Sequence, residues 1–313
     1  MRLIITGGTG LIGSALANSL AKDGHEVIVL SRNPARYSFP AGVRGEKWDG
    51  KTADNWGHLA NGADAIVNLA GEPIAGSGLL PSRWTKERKQ RIRQSRLDAG
   101  TAVCQAIAAA ATKPKVLIQS SGVDYYGNVP NDQVIGEDAP NGSGFLADLT
   151  VDWEDSTAAA EEMGVRRVII RSGIVLSMVS GALPITVLPF KFFAGGPLGN
   201  GQQWWPWIHL EDEVRAIRFL LEQETAVGPY NLCAPNPLQN KEFAKAIGRV
   251  MNRPAFMPAP AFALKLALGE IAAIVLDGRR AVPQKLQNEG FTFNYPQAND
   301  ALAELLNKQT LDR

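Results

Sequence analysis

Residues Leu3 to Gly13 read Leu-Ile-Ile-Thr-Gly-Gly-Thr-Gly-Leu-Ile-Gly, and they decide the fold. The apolar run ending at Thr6 has the length of a short buried strand, and Gly13 to Lys22 carries apolar residues at helical spacing. Between the two, Gly7, Gly10 and Gly13 make a G-x-x-G-x-x-G turn. Residues without side chains let the backbone turn sharply, approach a pyrophosphate and pack a helix closely on a strand. Unpaired amides and the positive dipole end of the new helix then face an anion. Strand, turn and helix in this order predict a dinucleotide site at Gly7, Thr9, Gly10, Leu11, Ile12 and Gly13.

Outward from that turn, Val27 to Leu30, Ala65 to Leu69, Val116 to Gln119 and Arg167 to Ile170 also read as short buried strands. Helical patterns at Arg88 to Ala111 and Val151 to Met163 lie between them, the rhythm of a parallel sheet with crossover helices. The expected fold class is α/β: a doubly wound parallel sheet (Rossmann) with a smaller C-terminal α/β lobe. Past Ser177, Gly, Pro and aromatic residues dominate up to Trp207, an excursion from the sheet. A helix at Glu211 to Glu222 and a strand at Tyr230 to Cys233 bring the chain back. This assigns 1–176 and 205–234 to the nucleotide-binding domain, and 177–204 and 235–313 to a lobe that caps the substrate. The apolar helix expected at Ala261 to Leu276 is interrupted by Lys265 and Glu270, so it reads as a core helix and not as a membrane anchor.

The second strand ends in Ser31 and Arg32, where a dinucleotide-binding fold that takes NAD usually places an acid on the ribose 2′-hydroxyl. No acid is present. A guanidinium clamps a 2′-phosphate through paired charge-assisted hydrogen bonds and Ser31 adds a neutral donor, so the expected cofactor is NADP. A solvated loop charge is the plainer reading of Arg32.

Composition narrows the function classes. With 45% hydrophobic and 20% charged residues, the 313-residue chain is an ordinary globular protein. Lys and Arg number 32 against 31 acids, so no global field recruits nucleic acid or an anionic membrane. Neither is an expected partner. Cys104 and Cys233 lack a His or Cys at metal-ligand spacing and read as inert core residues, and no metal site is expected. An apolar strand at the very start and the lack of a long apolar run give a cytoplasmic expectation.

Asn68-Leu69-Ala70-Gly71 resembles the N-x-A-G signature of the short-chain dehydrogenase/reductase superfamily, whose small residues let the backbone pass close to the adenine ribose. The likeness narrows at Gly71-Glu72-Pro73-Ile74, Ser95-Arg96, Tyr125-Tyr126-Gly127, Arg171-Ser172-Gly173-Ile174-Val175-Leu176, Gly195 to Gly199 and Trp205 to Asp212. Together these resemble the atypical extended subgroup, epimerase-family proteins labelled NAD-dependent epimerase/dehydratase, with a C-terminal domain of unknown function. Gly278 to Leu286 and Gly290 to Phe293 resemble that last domain. The resemblance covers nearly the whole chain, although Gly76 to Pro81 runs a few residues long. It implies cofactor contacts at Leu69, Ala70, Gly71, Glu72, Arg96 and Val175. Arg96 stands out from a run of seven basic residues between Arg83 and Arg96, most of which reads as a solvated helix face.

The superfamily's chemistry uses a Ser or Thr with Tyr-x-x-x-Lys, in which the Tyr shuttles a proton. Ser121 fits the first position. The Tyr and Lys align with Phe145 and Leu149, just upstream of the helix containing Trp153, and neither side chain transfers a proton. Tyr125 and Tyr126 are the replacement candidates, followed by Asp124; His209 reads as a hydrogen-bonded hinge histidine. Trp204, Trp205 and Trp207 either line the crevice or anchor a loop. Two readings stand. One is an NADP(H)-dependent oxidoreductase or epimerase-like enzyme on a small carbonyl or hydroxyl substrate. The other is a catalytically silent NADP-binding regulator or scaffold for a protein partner, a role to which the cell-division labels of some relatives point.

Overall fold

The computed structural model describes residues 1–76 and 81–311. Residues 77–80, the body of the loop expected to run long, lie outside the described residues. In chain order the first half comprises β1 (Arg2–Thr6), α1 (Leu11–Lys22), β2 (Glu26–Ser31), β3 (Val43–Lys47), β4 (Ala65–Asn68), α2 (Lys86–Ala109) and β5 (Val116–Gly122). After a 3₁₀ turn at Val123–Tyr126 come β6 (Val134–Ile135), α3 (Phe145–Asp155), α4 (Ala159–Glu162), β7 (Arg166–Ser172), β8 (Ile174–Leu176) and α5 (Ala182–Lys191). Then follow β9 (Trp204–Trp205), β10 (Trp207–His209), α6 (Leu210–Glu222), β11 (Gly228–Leu232), β12 (Leu238–Gln239), α7 (Asn240–Met251) and α8 (Ala261–Leu268). The chain ends with α9 (Ala273–Leu276), β13 (Arg280–Ala281), α10 (Gln284–Asn288) and α11 (Ala298–Leu311).

Seven strands form one sheet in the order β11-β7-β5-β4-β1-β2-β3, and every pairing in it is parallel. The pleat explains the unbroken apolar runs. Leu3 and Ile5 point into a layer with Leu16 and Leu20 of α1 and Ile217 and Leu220 of α6, whereas Ile4 points into the opposite layer with Val103 and Ile107 of α2. All are fully buried, and each contributes about 1.5–3 kcal/mol relative to exposure. Strand order reverses between β1 and β4, which opens a crevice at their C-terminal ends, where such sheets hold ligands. The lobe has its own core, built from Leu183, Val187 and Phe190 of α5, Trp205 and Trp207, Phe243 and Ile247 of α7, and Leu302.

Three expectations are corrected. Phe145 and Leu149 sit inside α3, which starts six residues before the expected Val151 and ends at Asp155, with α4 separate. Apolar α8 stops at Gly269, whose φ of +69° breaks the helix, and none of its side chains is buried, so it is no core helix. Strand β3 and helix α5 were not expected at all. Most of the Arg83 to Arg96 basic run is solvated as expected, with Arg83, Lys86, Arg91 and Arg93 exposed, although several of its cations also find partners. Arg83 donates to the carbonyls of Leu266 and Ala267, Lys89 pairs with Glu270, and Arg93 pairs with Asp152 at 2.6 Å. Among the described residues, no helix is long and apolar enough to cross a membrane.

Candidate functional site

The crevice starts from Gly7. Its φ is +66°, and a Cβ there would stand 2.7 Å from the Leu69 carbonyl oxygen. A Cβ on Gly13 would stand 2.4 Å from the Gly7 carbonyl oxygen. Only bare backbone lets the turn, the start of α1 and the end of β4 interlock in this way. No side chain caps α1 at Gly10, so its first amides, at Leu11, Ile12 and Gly13, face outward unclaimed. Thr6, fully buried, sets the other wall: its hydroxyl donates to Asn68 Oδ1 at 2.6 Å and accepts the amides of Leu69 and Ala70 at 3.1 and 3.2 Å. Asn68 in turn donates to Gln119 at 2.8 Å. Neither Thr6 nor Gln119 was singled out in the sequence, because a polar residue at a strand end reads as ordinary until its cross-strand partner is known.

The remaining cofactor candidates line the same edge. Ser31 is buried at the end of β2, and Arg32 follows it exposed, with no ion pair to another described residue. A Cβ on Gly181 would come within 4 Å of both Leu11 and the Val175 carbonyl, which brings Val175 on β8 to the mouth of the glycine turn. Thr9 is half-buried within the turn. Ser95 and Arg96 act on the Gly71-Glu72 corner: Ser95 accepts the Glu72 amide at 2.9 Å, and Arg96 donates to the Glu72 and Ile92 carbonyls at 3.0 and 2.9 Å. Arg96 is buried, its guanidinium 4.6 Å over the Trp153 ring, and burial brings its pKa down to about 10, leaving it charged at neutral pH. The Arg96 Nε has no partner among the described residues. Arg88 and Arg91 lie 3.9 and 3.7 Å from the Glu72 carboxylate.

The proton-transfer candidates divide sharply. Ser121 is buried and donates to Glu154 Oε1 at 2.6 Å. Arg171 holds that same carboxylate with two hydrogen bonds, at 2.8 and 2.9 Å. Tyr126 donates to Asn231 at 2.7 Å and accepts from Arg171 at 3.0 Å. Burial pushes its pKa up to about 12, only partly opposed by Arg171, so this phenol is poorly placed to exchange a proton near neutral pH. Tyr125 differs. Its ring lies on the Arg171 guanidinium at 3.4 Å, it is half-buried, and its hydroxyl makes no hydrogen bond to a described residue. Phe145 and Leu149 pack with Trp84, Ile92 and Ile271, and the Trp84 and Phe145 rings meet edge-on at 5.0 Å.

The lobe closes over this end of the sheet. Asp124 forms a close pair with Arg279, and the nearby Asp277 carboxyl is pushed up by burial. Trp204 donates to Asp132 at 2.8 Å under the Arg280 guanidinium, whereas Trp205 and Trp207 are buried in the lobe core. His209 caps α6, its Nδ1 accepting the Glu211 amide while its ring stacks on Tyr295 at 4.0 Å.

A glycine turn that interlocks with the neighbouring strand at the reversal of a seven-stranded parallel sheet defines an extended short-chain dehydrogenase/reductase fold. The chain belongs to the NAD dependent epimerase/dehydratase family, which it matches over residues 3–233, and a domain of unknown function, DUF1731, matches residues 259–305. It is 39% identical over 306 residues to the epimerase family protein YfhF of Bacillus subtilis, covering 98% of each chain. It is 37% identical to the Arabidopsis thaliana chloroplastic SDR39U1 homolog, covering 98% of this chain and 87% of that one. The crystal structure of human epimerase family protein SDR39U1 (isoform2) with NADPH superposes with a TM-score of 0.87 at 32% identity, over 98% of this chain and 99% of that one.

Proposed function

We propose that this protein binds NADP(H) across the β1/β4 crevice and acts as an oxidoreductase or epimerase-like enzyme on a small carbonyl or hydroxyl substrate held beneath the C-terminal lobe. The observation that carries the reading is the interlock of Gly7 with Leu69, a cradle that any Cβ would fill. The amides of Leu11 to Gly13 would hold the pyrophosphate, with Thr9, Gly10 and Val175 around it, and Leu69 to Glu72 would flank the adenosine side. Arg96 would serve from behind by fixing the Glu72 corner. Ser31 and the unpaired Arg32 would read the 2′-phosphate, a choice supported by the NADPH in the human relative. When bound, the nicotinamide supplies hydride transfer. The neutral charge balance supports a site of action away from nucleic acid.

Tyr125 is the proton carrier in this reading, with Ser121 and Tyr126 holding the wall behind it. The Arg171 guanidinium stacked on its ring fixes where that ring stands. Fluorescence titration should give NADPH about tenfold or more tighter binding than NADH, a gap that Arg32→Ala abolishes. In a carbonyl panel, Tyr125→Phe should lower kcat by about 10²–10⁴ while NADPH affinity holds. Equal affinity for both dinucleotides would remove the Arg32 assignment.

The apolar packing of Phe145 and Leu149 favours a second reading, a silent NADP-binding regulator that presents a conformation to a protein partner. Tight NADPH binding with no turnover on any carbonyl would establish it.

A further inference from the structure

Two segments of the lobe, 177–203 and 243–269, contain no acidic residue and five basic ones, in a chain whose charges nearly cancel as a whole. Nine of the fourteen exposed large hydrophobic side chains among the described residues fall in these same segments. The segments meet along one edge: the Met257 amide donates to the Gly195 carbonyl at 3.1 Å, the Ala259 amide to the Pro197 carbonyl at 2.9 Å, and Arg253 stacks on Phe193 at 4.4 Å. Phe193 has a φ of +60°, a conformation that is strained for a bulky residue, and its ring is nonetheless 57% exposed. Phe192 and Phe256 beside it are more exposed still. Ile185 and Leu188 of α5, with Phe192 capping its C-terminal end, continue the apolar stripe at helical spacing. Lys245 and Arg249 of α7 and Arg253 just beyond its end line a cavity of about 670 Å³, together with Glu242, which pairs with Lys245.

We propose that this edge is a docking face for an anionic lipid bilayer. Phenylalanine rings would enter the boundary between headgroups and acyl chains, and the Lys and Arg side chains would meet lipid phosphates. Charge complementarity selects this occupant. A second copy packed on the same patch would bring these cations against one another, and Glu242, the acid that lines the cavity with them, is already paired with Lys245 at 2.9 Å. The near-neutral total charge conceals the asymmetry, because the compensating acids lie elsewhere in the chain. Docking here involves no residue of the β1/β4 crevice, so it stands whether or not the chain turns over a substrate.

The test is co-sedimentation of the full chain with phosphatidylcholine vesicles, with and without about one-third phosphatidylglycerol, at low and high salt. Binding should require phosphatidylglycerol and weaken with salt. The pair Phe193→Ser with Phe256→Ser, and separately Arg249→Glu with Arg253→Glu, should each reduce partitioning about tenfold or more. Unchanged NADPH affinity would show that the variants are folded. The proposal is overturned by absence of binding to the anionic vesicles, by binding that survives both pairs, or by light scattering that shows a dimer on this patch in place of vesicle association.

Discussion

Glu213 carries its carboxyl from α6 against the end of β7 with no exposure to solvent. Ser172 donates to Oε1 at 2.6 Å, and Oε2 has no partner among the described residues. Burial is the main cause that raises its pKa to about 8, the Ser172 hydrogen bond offsetting only part of the shift. The unfolded chain releases this proton near pH 4.5, so between that pH and about 8 the folded state binds more protons. Its contribution to stability is therefore full below pH 4.5 and is lost as pH rises towards 8, after which the loss is constant. Glu213→Gln should flatten this slope and leave the protein more stable at pH 8.5 by on the order of a few kcal/mol, with little change near pH 4.5. Urea unfolding of both proteins at several pH values measures it, and parallel profiles would refute it. Residues such as Glu213 are the least legible in a sequence. Its neighbours Glu211 and Asp212 are equally acidic, yet Glu211 stays near solvent and Asp212 receives the amides of Asn294 and Tyr295. Only the packed fold separates the three. Gly7 and Gly13 were readable because their constraint lies within the turn itself.

At the scale of elements, one ion pair fastens α3 to the sheet. Glu154 of α3 accepts from Ser121 on β5 and from both arms of Arg171 on β7, and both charged side chains are buried. Removing one member leaves the other charged in a poorly solvated place, so Glu154→Ala should cost about 3–5 kcal/mol. Because Arg171 also stacks on Tyr125 and bonds Tyr126, the same variant should disturb the proposed proton carrier. Chemical denaturation reads the first effect, and turnover in a carbonyl panel reads the second. The strands of the sheet interior were legible because burial on both faces demands unbroken apolar runs. Edge strand β3, Val-Arg-Gly-Glu-Lys, escaped because an edge tolerates charge and glycine. Helix α5 escaped because Pro184 and Pro189 read as breaks, although Pro184 sits in its first turn and Pro189 in its last. Apolar α8 was misread as core because composition reports hydrophobicity and is silent on what covers it.

For the whole molecule, the question is whether the two lobes are separable. Their sequence division places 235–313 outside the nucleotide domain, yet Leu286 and Phe291 are buried in the layer that holds α1 and α6 against the sheet. The returning chain is also fastened by polar contacts: Asn231 of β11 donates to the Val282 carbonyl at 3.0 Å, Glu137 accepts the Lys285 amide at 3.2 Å, and Tyr230 donates to Glu289 at 2.6 Å. Unfolding the lobe would strip apolar cover from β11, so neither core can melt alone. Leu286 is fully buried, and Leu286→Ala should cost about 2–5 kcal/mol through lost transfer energy and the cavity left behind. Tryptophans report on both cores, Trp48 and Trp56 beside the sheet and Trp205 and Trp207 in the lobe. If the cores are one cooperative unit, tryptophan fluorescence and far-UV circular dichroism should give coincident urea transitions, and Leu286→Ala should shift both midpoints together. Transitions that separate, with the variant moving only one, would mean that the lobe folds independently and that Leu286 merely decorates the sheet.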